Sequence, residues 1–590
     1  MVTSATSPRL LRVATAQFFS GTDVEANLAL ATSYLERAHE AGAKVLVLPE
    51  NANRVRDFAD RQECWRLSES LDGAFVTGLQ RACARLGMHL AVGVDVRGET
   101  APDVHITSVL VGPTGDILHV HRKHVLWDYE YTLFVPGREP LEVVDTELGR
   151  IGLLLCADGI VPEVPRLLGL LGAQVLLNSL NSRGPDEVRV HVPLRALENR
   201  VWHISSNTVG GPADAYPWMG GSQVVSPDGR VLASAGEHEE GMVCADIDVA
   251  RADDKTAAVL GDVMALRRPD LYGDLVQSVD LVPSASMHGP APDAAPPRPV
   301  SVAALQVSWF HNQEWTITRA LAQLEYAASR GAQLAVLPEL FCFRPGEVAD
   351  DPGRAAQTSA RVLDQFRAAA SQHGVWLAAH LVERQQDRFF STVWVLSAGG
   401  EVAGRYRKAH LDEQDRLWAS PGDDLPVFDT ALGRLGCLVG SEIWVPEAFR
   451  VLALRGAELV LHPCSWDRVE AATMAATERT EENRVHLVSC ARLDNPAQIG
   501  SQIVQADEFR PGQPIALMRY PTGYWSRPGF EEQLLVRLDL REAHSKMMGH
   551  HLDVLATRQP EIYGPMVTRP AAPTTSPTSS LRADHMSSAS

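Results

Sequence analysis

The chain contains two copies of one long motif, and this repetition limits its fold more than any other feature. Residues 152–163 read GLLLCADGIVPE, and residues 436–447 read GCLVGSEIWVPE. Further matched pairs lie along both halves, namely HRKH with YRKA, FVPG with ASPG, RALENRV with RTEENRV, and RRPDLYG with TRQPEIYG. The offset between the copies is 285 residues at Lys123 and Lys408 and 284 at Glu163 and Glu447. We therefore predict a tandem duplication with one fold used twice.

Each half alternates short apolar runs with amphipathic helical patterns. Runs such as VLVLP, GLLLC and QVLLN lack the alternation of a half-exposed strand and are typical of strands buried on both faces. Helical spacing follows the first strand, with Leu28, Ala31, Leu35 and Ala38 on one face and Gly42 at its end. The pattern predicts layered α/β domains with reactive residues at strand ends.

A composition change near the middle of the 590 residues marks the boundary between the copies. We predict a first domain over residues 8–282, a linker rich in proline and alanine over 283–298, and a second domain over 299–568. Residues 569–590 have the composition of a disordered tail.

The charge and the hydropathy pattern exclude several classes of partner. A formal charge of −19 argues against nucleic acid or an anionic membrane as the main partner. No apolar run reaches the roughly 18–20 residues of a membrane span, and the start shows no secretion signal, so we expect a cytoplasmic protein. A homo-oligomer is compatible with the sequence. The eight cysteines form no close metal-type pair, and no metal or organic cofactor is expected.

Three reactive side chains follow strands in the first half: Glu50 in LPEN, Lys123 in HRKH and Cys156 in LLLCADG. Together with the motif G-x-x-x-C-x-D-x-x-x-P-E, they make both halves resemble the nitrilase or carbon–nitrogen hydrolase superfamily. That resemblance implies an α-β-β-α sandwich for each half, a Glu-Lys-Cys triad, and two domains paired so that their sheets form one stack.

The chemistry of a cysteine nucleophile explains why these three residue types occur together. A thiol attacks as the thiolate and needs a neighbouring base or cation. Glu50 would act as the base, while Lys123 and the backbone N–H of Ala157 would hold the oxyanion. The resemblance also implies an orienting role for Glu130, which lies six residues before Pro136. A plain surface carboxylate is the alternative for Glu130.

The second half keeps Glu339, Lys408 and Asp415 at the matching positions but has Gly440 where the first half has Cys156. Glycine offers no nucleophile, so this site is expected to be inactive. Cys437 lies three positions early on a strand and should point elsewhere. Replacement nucleophiles remain open at Cys342 and Cys464. We favour a structural role for the second half over a ligand-sensing one.

We expect the substrate to be a small amide-like molecule, either a linear amide or a carbamoyl compound, and less readily a nitrile. Ala157 and Asp158 follow the cysteine, where the nitrile-cleaving branch of the resembled family has Trp-Glu. Two alternatives stay open. One is transfer of the acyl group to an amine, and the other is a binding or scaffold protein without activity.

Overall fold

The computed structural model describes residues 10–211, 217–281, 298–507 and 521–569. The predicted linker lies outside the described residues except for Arg298, and so does the predicted tail except for Arg569. No helix within the described residues has the length and apolar character needed to cross a bilayer.

The first half contains sixteen strands and five α-helices among its described residues. The strands are β1 (Leu10–Gln17), β2 (Val45–Val47), β3 (His89–Arg97), β4 (Val104–Val111), β5 (Ile117–Arg122), β6 (Val144–Thr146), β7 (Gly149–Leu155), β8 (Val175–Ser179), β9 (Trp202–Ser206), β10 (Val209–Gly210), β11 (Trp218–Met219), β12 (Gln223–Val225), β13 (Val231–Ser234), β14 (Gly241–Asp248), β15 (Thr256–Ala257) and β16 (Gly261–Asp262). The helices are α1 (Val24–Glu40), α2 (Arg61–Leu67), α3 (Ala74–Leu86), α4 (Glu163–Leu170) and α5 (Val192–Asn199).

Helix α1 shows how the sequence sets one of these elements. The Asp23 carboxylate accepts hydrogen bonds from the N–H groups of Glu25 and Ala26 and so caps the first turn. Ala31, Leu35 and Ala38 are fully buried against the first sheet, as the helical spacing predicts. Beyond the helix end, Gly42 adopts φ +78°, a left-handed conformation that glycine reaches without strain.

Two six-stranded sheets form the centre of the first half, in the orders β14-β1-β2-β3-β4-β5 and β13-β12-β9-β8-β7-β6. Strands β1 to β3 are parallel to one another, as are β7 to β9, and the outer strands pair antiparallel. Val47, Leu110, Leu153, Leu177 and Ile204 from the inner faces share one core between the sheets.

Helices cover the outer face of each sheet, with α1 and α3 on one side and α4 and α5 on the other. This layering is the α-β-β-α sandwich expected from the sequence. The parallel central strands bring their carboxyl ends, and the residues that follow them, to one edge of the sandwich.

The second half repeats the arrangement. Its strands are β17 (Pro299–Gln306), β18 (Leu334–Val336), β19 (Trp376–Gln385), β20 (Arg388–Leu396), β21 (Val402–Arg407), β22 (Val427–Asp429), β23 (Arg434–Cys437), β24 (Leu459–Cys464), β25 (His486–Ala491), β26 (Gln502–Gln505), β27 (Thr522–Trp525) and β28 (Glu532–Asp539). Its helices are α6 (Gln313–Ser329), α7 (Glu347–Asp350), α8 (Pro352–His373), α9 (Pro446–Leu454) and α10 (Ala476–Asn483). The sheet orders β28-β17-β18-β19-β20-β21 and β27-β26-β25-β24-β23-β22 reproduce those of the first half.

The two halves pair within the chain through α4 and α5 on one side and α9 and α10 on the other. Glu163 lies 2.9 Å from Arg450, and the matching pair Arg166 and Glu447 lies 3.3 Å apart. All four side chains are almost fully buried. Equivalent residues therefore meet twice across an approximate two-fold axis, as in a homodimer, which confirms the expected pairing of tandem domains.

Each half also sends its C-terminal segment across the other half. The Arg268 guanidinium donates hydrogen bonds to the carbonyls of Ala409 (3.2 Å) and Gly422 (2.9 Å). In the matching position of the second half, Gln559 Nε2 donates to the carbonyls of His124 (3.2 Å) and Gly137 (2.8 Å). Both contacts reach the loop that follows the lysine of the opposite half, so each half supports the other near its candidate site.

Candidate active site

Cys156 stands at a sharp turn between strand β7 and a short 3-10 turn over Cys156–Gly159. Its φ of +41° lies in the left-handed region, which costs a non-glycine residue about 1–3 kcal/mol. The Cys156 N–H donates to the Asn178 side-chain oxygen at 3.2 Å, which helps to hold this conformation. Ala157 is the next residue of the turn. Such strain is typical of functional sites.

Asp158 connects this turn to the loop that carries Lys123. Its carboxylate accepts hydrogen bonds from the backbone N–H groups of His124 (3.0 Å) and Val125 (2.9 Å). The His121 ring lies 2.8 Å from the same carboxylate. Asp158 is fully buried. It therefore fixes the backbone beside Lys123 relative to the cysteine turn.

Lys123, Glu50 and Glu130 form a buried ion cluster. Lys123 Nζ lies 2.9 Å from Glu50 Oε1 and 2.8 Å from Glu130 Oε2. Burial lowers the pKa of Lys123, but the Glu130 and Glu50 carboxylates outweigh this effect, so the pKa is raised above its ordinary value. Burial raises the pKa of Glu130, and Lys123 and Arg56 together bring it below the ordinary value. Lys123 is therefore a fixed cation, and Glu130 is a buried acceptor rather than a surface carboxylate.

Cys156 lies close enough to Lys123 and Glu50 for both charges to affect its pKa. Burial raises the pKa of Cys156 well above its ordinary value, Lys123 lowers it, and Glu50 raises it. The raised pKa favours a neutral thiol in the resting side chain. A base must remove the proton during attack. Glu50 Oε2 is buried and accepts no hydrogen bond from any described residue, so it is free for this task.

Sequence reasoning missed two members of the cluster, Arg56 and Asp95. The Arg56 guanidinium lies 3.3 Å from Glu50 and 3.6 Å from Asp95, and it also pairs with Glu130. Burial raises the pKa of Asp95 to about 7, although Arg56 lowers it. A carboxylate within the apolar strand HLAVGVDVR was a usable signal for Asp95. No sequence signal marked Arg56, because the second half has Pro345 at the matching position.

The second half brings Glu339, Lys408, Asp415 and Gly440 together, but with different contacts. Lys408 Nζ lies 2.5 Å from Asp415 and 3.1 Å from Asp412. Glu339 is farther away, at 3.9 Å from the same nitrogen. Burial raises the pKa of Glu339 to about 7, although Lys408 lowers it. Gly440 retains the turn conformation of Cys156, with φ +48°.

The Glu339 carboxylate has moved into the space of the absent nucleophile. A Cβ atom on residue 440 would lie 2.7 Å from Glu339 Oε2 and 2.9 Å from Oε1, closer than van der Waals contact allows. The Ser441 hydroxyl donates to Asp412 at 2.7 Å. The second site therefore differs from the first by more than one lost side chain.

The three thiols of the second half that the sequence analysis considered are core residues. Cys342, Cys437 and Cys464 are fully buried, Cys342 in the helix-side core and the other two in the core shared by the halves. Burial raises the pKa of Cys342 to about 12 and that of Cys464 well above its ordinary value. This setting favours packed, neutral thiols over reactive ones.

One family model matches both halves of the chain. The family model described as carbon–nitrogen hydrolase matches residues 12–255 and again 301–492. A nitrilase from Pyrococcus abyssi is 30% identical over 248 residues, which are 42% of this chain and 92% of that protein. An N-carbamoylputrescine amidase from Solanum lycopersicum is 28% identical over 289 residues, which are 45% of this chain and 94% of that protein.

Among solved structures, an amidase of the nitrilase superfamily from Nesterenkonia AN1 is 28% identical, with a TM-score of 0.38. The match covers 41% of this chain and 92% of that one. Each of these relatives thus corresponds to about half of this chain. Because the family model matches twice and covers most of the sequence, the chain belongs to the carbon–nitrogen hydrolase family, as a tandem duplicate.

Proposed function

We propose that this carbon–nitrogen hydrolase cleaves a linear amide or a carbamoyl compound through a thioester on Cys156. The observation that carries the proposal is the environment of Glu50. One carboxylate oxygen contacts Lys123, and the other is buried and accepts no hydrogen bond from the described residues. The Glu50 carboxylate is also near enough to Cys156 to raise the pKa of its thiol. A general base needs such a free lone pair within reach of the proton it removes.

In the acylation step, Glu50 takes the thiol proton as the Cys156 sulfur attacks the carbonyl carbon. The carbonyl π electrons move to oxygen, and Lys123 Nζ and the Ala157 N–H stabilise the resulting oxyanion. Glu50 then donates the proton to the leaving nitrogen. The C–N bond breaks, ammonia or an amine departs, and a thioester remains.

In the deacylation step, Glu50 removes a proton from water, and the hydroxide oxygen attacks the thioester carbon. The same donors stabilise the second oxyanion. The C–S bond breaks, the Cys156 sulfur regains a proton from Glu50, and a carboxylic acid leaves. A carbamoyl substrate gives a carbamic acid at this step, which decomposes to CO2 and ammonia or an amine. Glu130 and Arg56 orient Lys123 and Glu50 throughout, because both contact these groups directly.

The relatives guide the choice of substrates for a test. The matched proteins include an N-carbamoylputrescine amidase and an amidase of the nitrilase superfamily. Released ammonia should therefore be measured with a panel of short aliphatic amides and N-carbamoyl amines, with an aliphatic nitrile as comparison. We expect turnover of at least one amide or carbamoyl compound and weaker turnover of the nitrile.

Trapping the covalent intermediate tests the mechanism itself. Wild-type protein quenched with acid during turnover should carry an acyl adduct on the peptide that contains Cys156, detectable by mass spectrometry. The Glu50→Gln variant should carry much less of it, because it lacks the base of the acylation step. The Cys156→Ala variant should keep the Tm of the wild type and lose turnover. Cys464→Ser and Cys342→Ser serve as controls with the thiol removed elsewhere. Activity that survives Cys156→Ala, or that disappears in either control while folding is kept, would contradict the proposal.

We further propose that the second half acts as a structural partner. Its Gln559 supports the loop after Lys123, and its Arg450 neutralises Glu163 in the helix that follows the cysteine turn. Both contacts lie close to the first site, and neither requires a reactive residue at position 440.

A further inference from the structure

Helices α5 and α10 at the interface between the halves depart from the two-fold symmetry of the duplication. Arg195 of α5 lies 2.8 Å from Glu482 of α10, and the matching pair Arg479 and Glu198 also forms an ion pair. Beside this symmetric set, α10 carries two additional buried carboxylates, Glu478 and Glu481. The matching positions of α5 are Leu194 and Leu197. The fold therefore accepts leucine at these sites and does not require an acid.

The two carboxylates face a histidine and an aspartate from the first half. Asp186 and His191 flank the π-helical turn Glu187–His191, which leads from the strand after the cysteine turn into α5. Among the described residues, Asp186, His191 and Glu481 each place one ligand atom so that these atoms lie within 4.8 Å of one another. All three side chains are buried, with 7%, 2% and 2% of their surface exposed. In the second half Ala475 matches His191.

Several polar atoms in this cluster have no hydrogen-bond partner among the described residues. These atoms are both ring nitrogens of His191, one oxygen of Glu481, one of Glu478 and one of Glu187. His191 is 3.2 Å from Glu478 and 3.6 Å from Glu481 and from Glu187. Arg195 contacts Glu478 at 2.6 Å but is shared with Glu198 and Glu482.

The cluster has more buried acids than cations to balance them. Glu187, Glu478 and Glu481 contact one imidazole and one shared guanidinium, and Asp186 lies beside His191 and Glu481. Buried charges are costly unless they are paired or bind an ion, and unsatisfied buried acceptors add to that cost. A positive ion at this point would satisfy both requirements.

We propose that Asp186, His191 and Glu481 bind a divalent transition-metal ion between the two halves. One imidazole nitrogen and two carboxylate oxygens suit Zn²⁺ or Mn²⁺, whereas Mg²⁺ prefers oxygen ligands and retains its water. A tetrahedral ion with bonds of about 2.0 Å holds its ligand atoms about 3.3 Å apart. The three side chains therefore need only a small inward movement to close on it.

The ion would join the first half to the second. Asp186 and His191 belong to the segment that follows strand β8, and Glu481 belongs to α10. The neighbouring Glu187 side chain reaches toward Gly159, which is three residues beyond Cys156. The second half would thus supply a ligand that fixes a segment bordering the first site. This inference does not depend on the chemistry at Cys156.

The test is metal analysis of the full-length protein. The protein is stripped with a chelator, and Zn²⁺, Mn²⁺ or Mg²⁺ is titrated separately by calorimetry. Metal retained after dialysis is measured by plasma mass spectrometry. We expect about one Zn²⁺ or Mn²⁺ per chain and far weaker binding of Mg²⁺. Crystals soaked with Zn²⁺ should show an anomalous difference peak between His191 and Glu481.

The duplication supplies matched variants. Glu481→Leu and His191→Ala introduce residues that the other half carries at the equivalent positions, and each should weaken Zn²⁺ binding at least about tenfold. Glu470→Gln is the control, because Glu470 matches Asp186 but has Ala475 in place of the histidine. Its affinity should equal that of the wild type. The proposal is overturned if the wild type binds neither Zn²⁺ nor Mn²⁺, if the anomalous peak lies elsewhere, or if Glu470→Gln weakens binding as much as Glu481→Leu.

Discussion

The Glu339 carboxylate lies 2.7 Å from the point where a Cβ atom on Gly440 would stand. In the first half, Cys156 occupies the equivalent position and Glu50 turns toward Lys123 at 2.9 Å. Loss of the nucleophile therefore came with a rearrangement of the base. The second site has closed around the missing side chain and no longer preserves an open copy of the first.

A cysteine alone should not restore this site. In the Cys156→Ser/Gly440→Cys double variant, we expect the new thiol to react with iodoacetamide much more slowly than Cys156 does in the wild type. Glu339, Asp412 and Asp415 surround Lys408 there, and their negative charges disfavour a thiolate. Peptide mass spectrometry after timed labelling measures both rates, with Cys156→Ser as the background control. Equal rates at the two positions would show that the second pocket is still competent.

Much of this architecture could be predicted from the sequence, because the two copies of each motif can be compared within one chain. The alternating patterns predicted layered α/β domains, and the resemblance to the nitrilase superfamily implied the sandwich. The motifs placed Glu50, Lys123 and Cys156 after buried strands. Arg56 could not be found in this way, since the second copy has Pro345 there.

The contacts across the interface between the halves also could not be predicted from the sequence. They join residues such as Glu163 and Arg450 that only the folded chain brings together. The raised pKa of the Cys156 thiol could not be predicted from the sequence either, because it depends on the depth of burial, which a motif does not specify.

Arg56 should be essential for the arrangement of the first site. In Arg56→Met, the Glu50, Glu130 and Asp95 carboxylates lose a shared buried cation, so we expect a loss of about 3–5 kcal/mol in stability. A shift of Glu50 away from the thiol should also lower kcat by about 100-fold. Thermal unfolding and steady-state kinetics measure these effects. Adding Asp95→Asn removes one unpaired charge and should recover part of the Tm but not the kcat. A variant with wild-type kcat would exclude this role.

Glu339 should make the stability of the chain depend on pH. Its pKa is raised from about 4.5 when unfolded to about 7 when folded, so the folded state binds more protons between these values. The contribution of Glu339 is therefore most favourable below about pH 4.5 and is lost as the pH rises through 7. We expect Glu339→Gln to match the wild type at pH 5 and to exceed its Tm at pH 8, by the equivalent of about 3 kcal/mol at most.

Asp412 is the comparison for Glu339, because its pKa is lowered and not raised. Burial raises its pKa, but Lys408 and its hydrogen bonds bring the value down to about 2. Its stabilisation is present above the unfolded value near 3.8 and is lost only toward pH 2. Asp412→Asn should thus lower the Tm to a similar extent at pH 5 and pH 8. If Glu339→Gln behaved in the same way, the raised pKa of Glu339 would be refuted.

The buried ion pairs between the halves should dominate their association. In Arg450→Met, Glu163 keeps only a 3.7 Å contact with Arg558, and an almost unpaired buried carboxylate costs about 3–5 kcal/mol. Arg12→Met is the matched control, because Arg12 and Asp246 lie 2.8 Å apart, close to the 2.9 Å of Arg450 and Glu163, but both of their side chains are more than 40% exposed. Calorimetry should show a marked fall in Tm for Arg450→Met and almost none for Arg12→Met. Adding Glu163→Gln to Arg450→Met removes the unpaired charge and should raise the Tm again. Equal Tm values for the two single variants would mean that the pairing of the halves depends on apolar contacts alone.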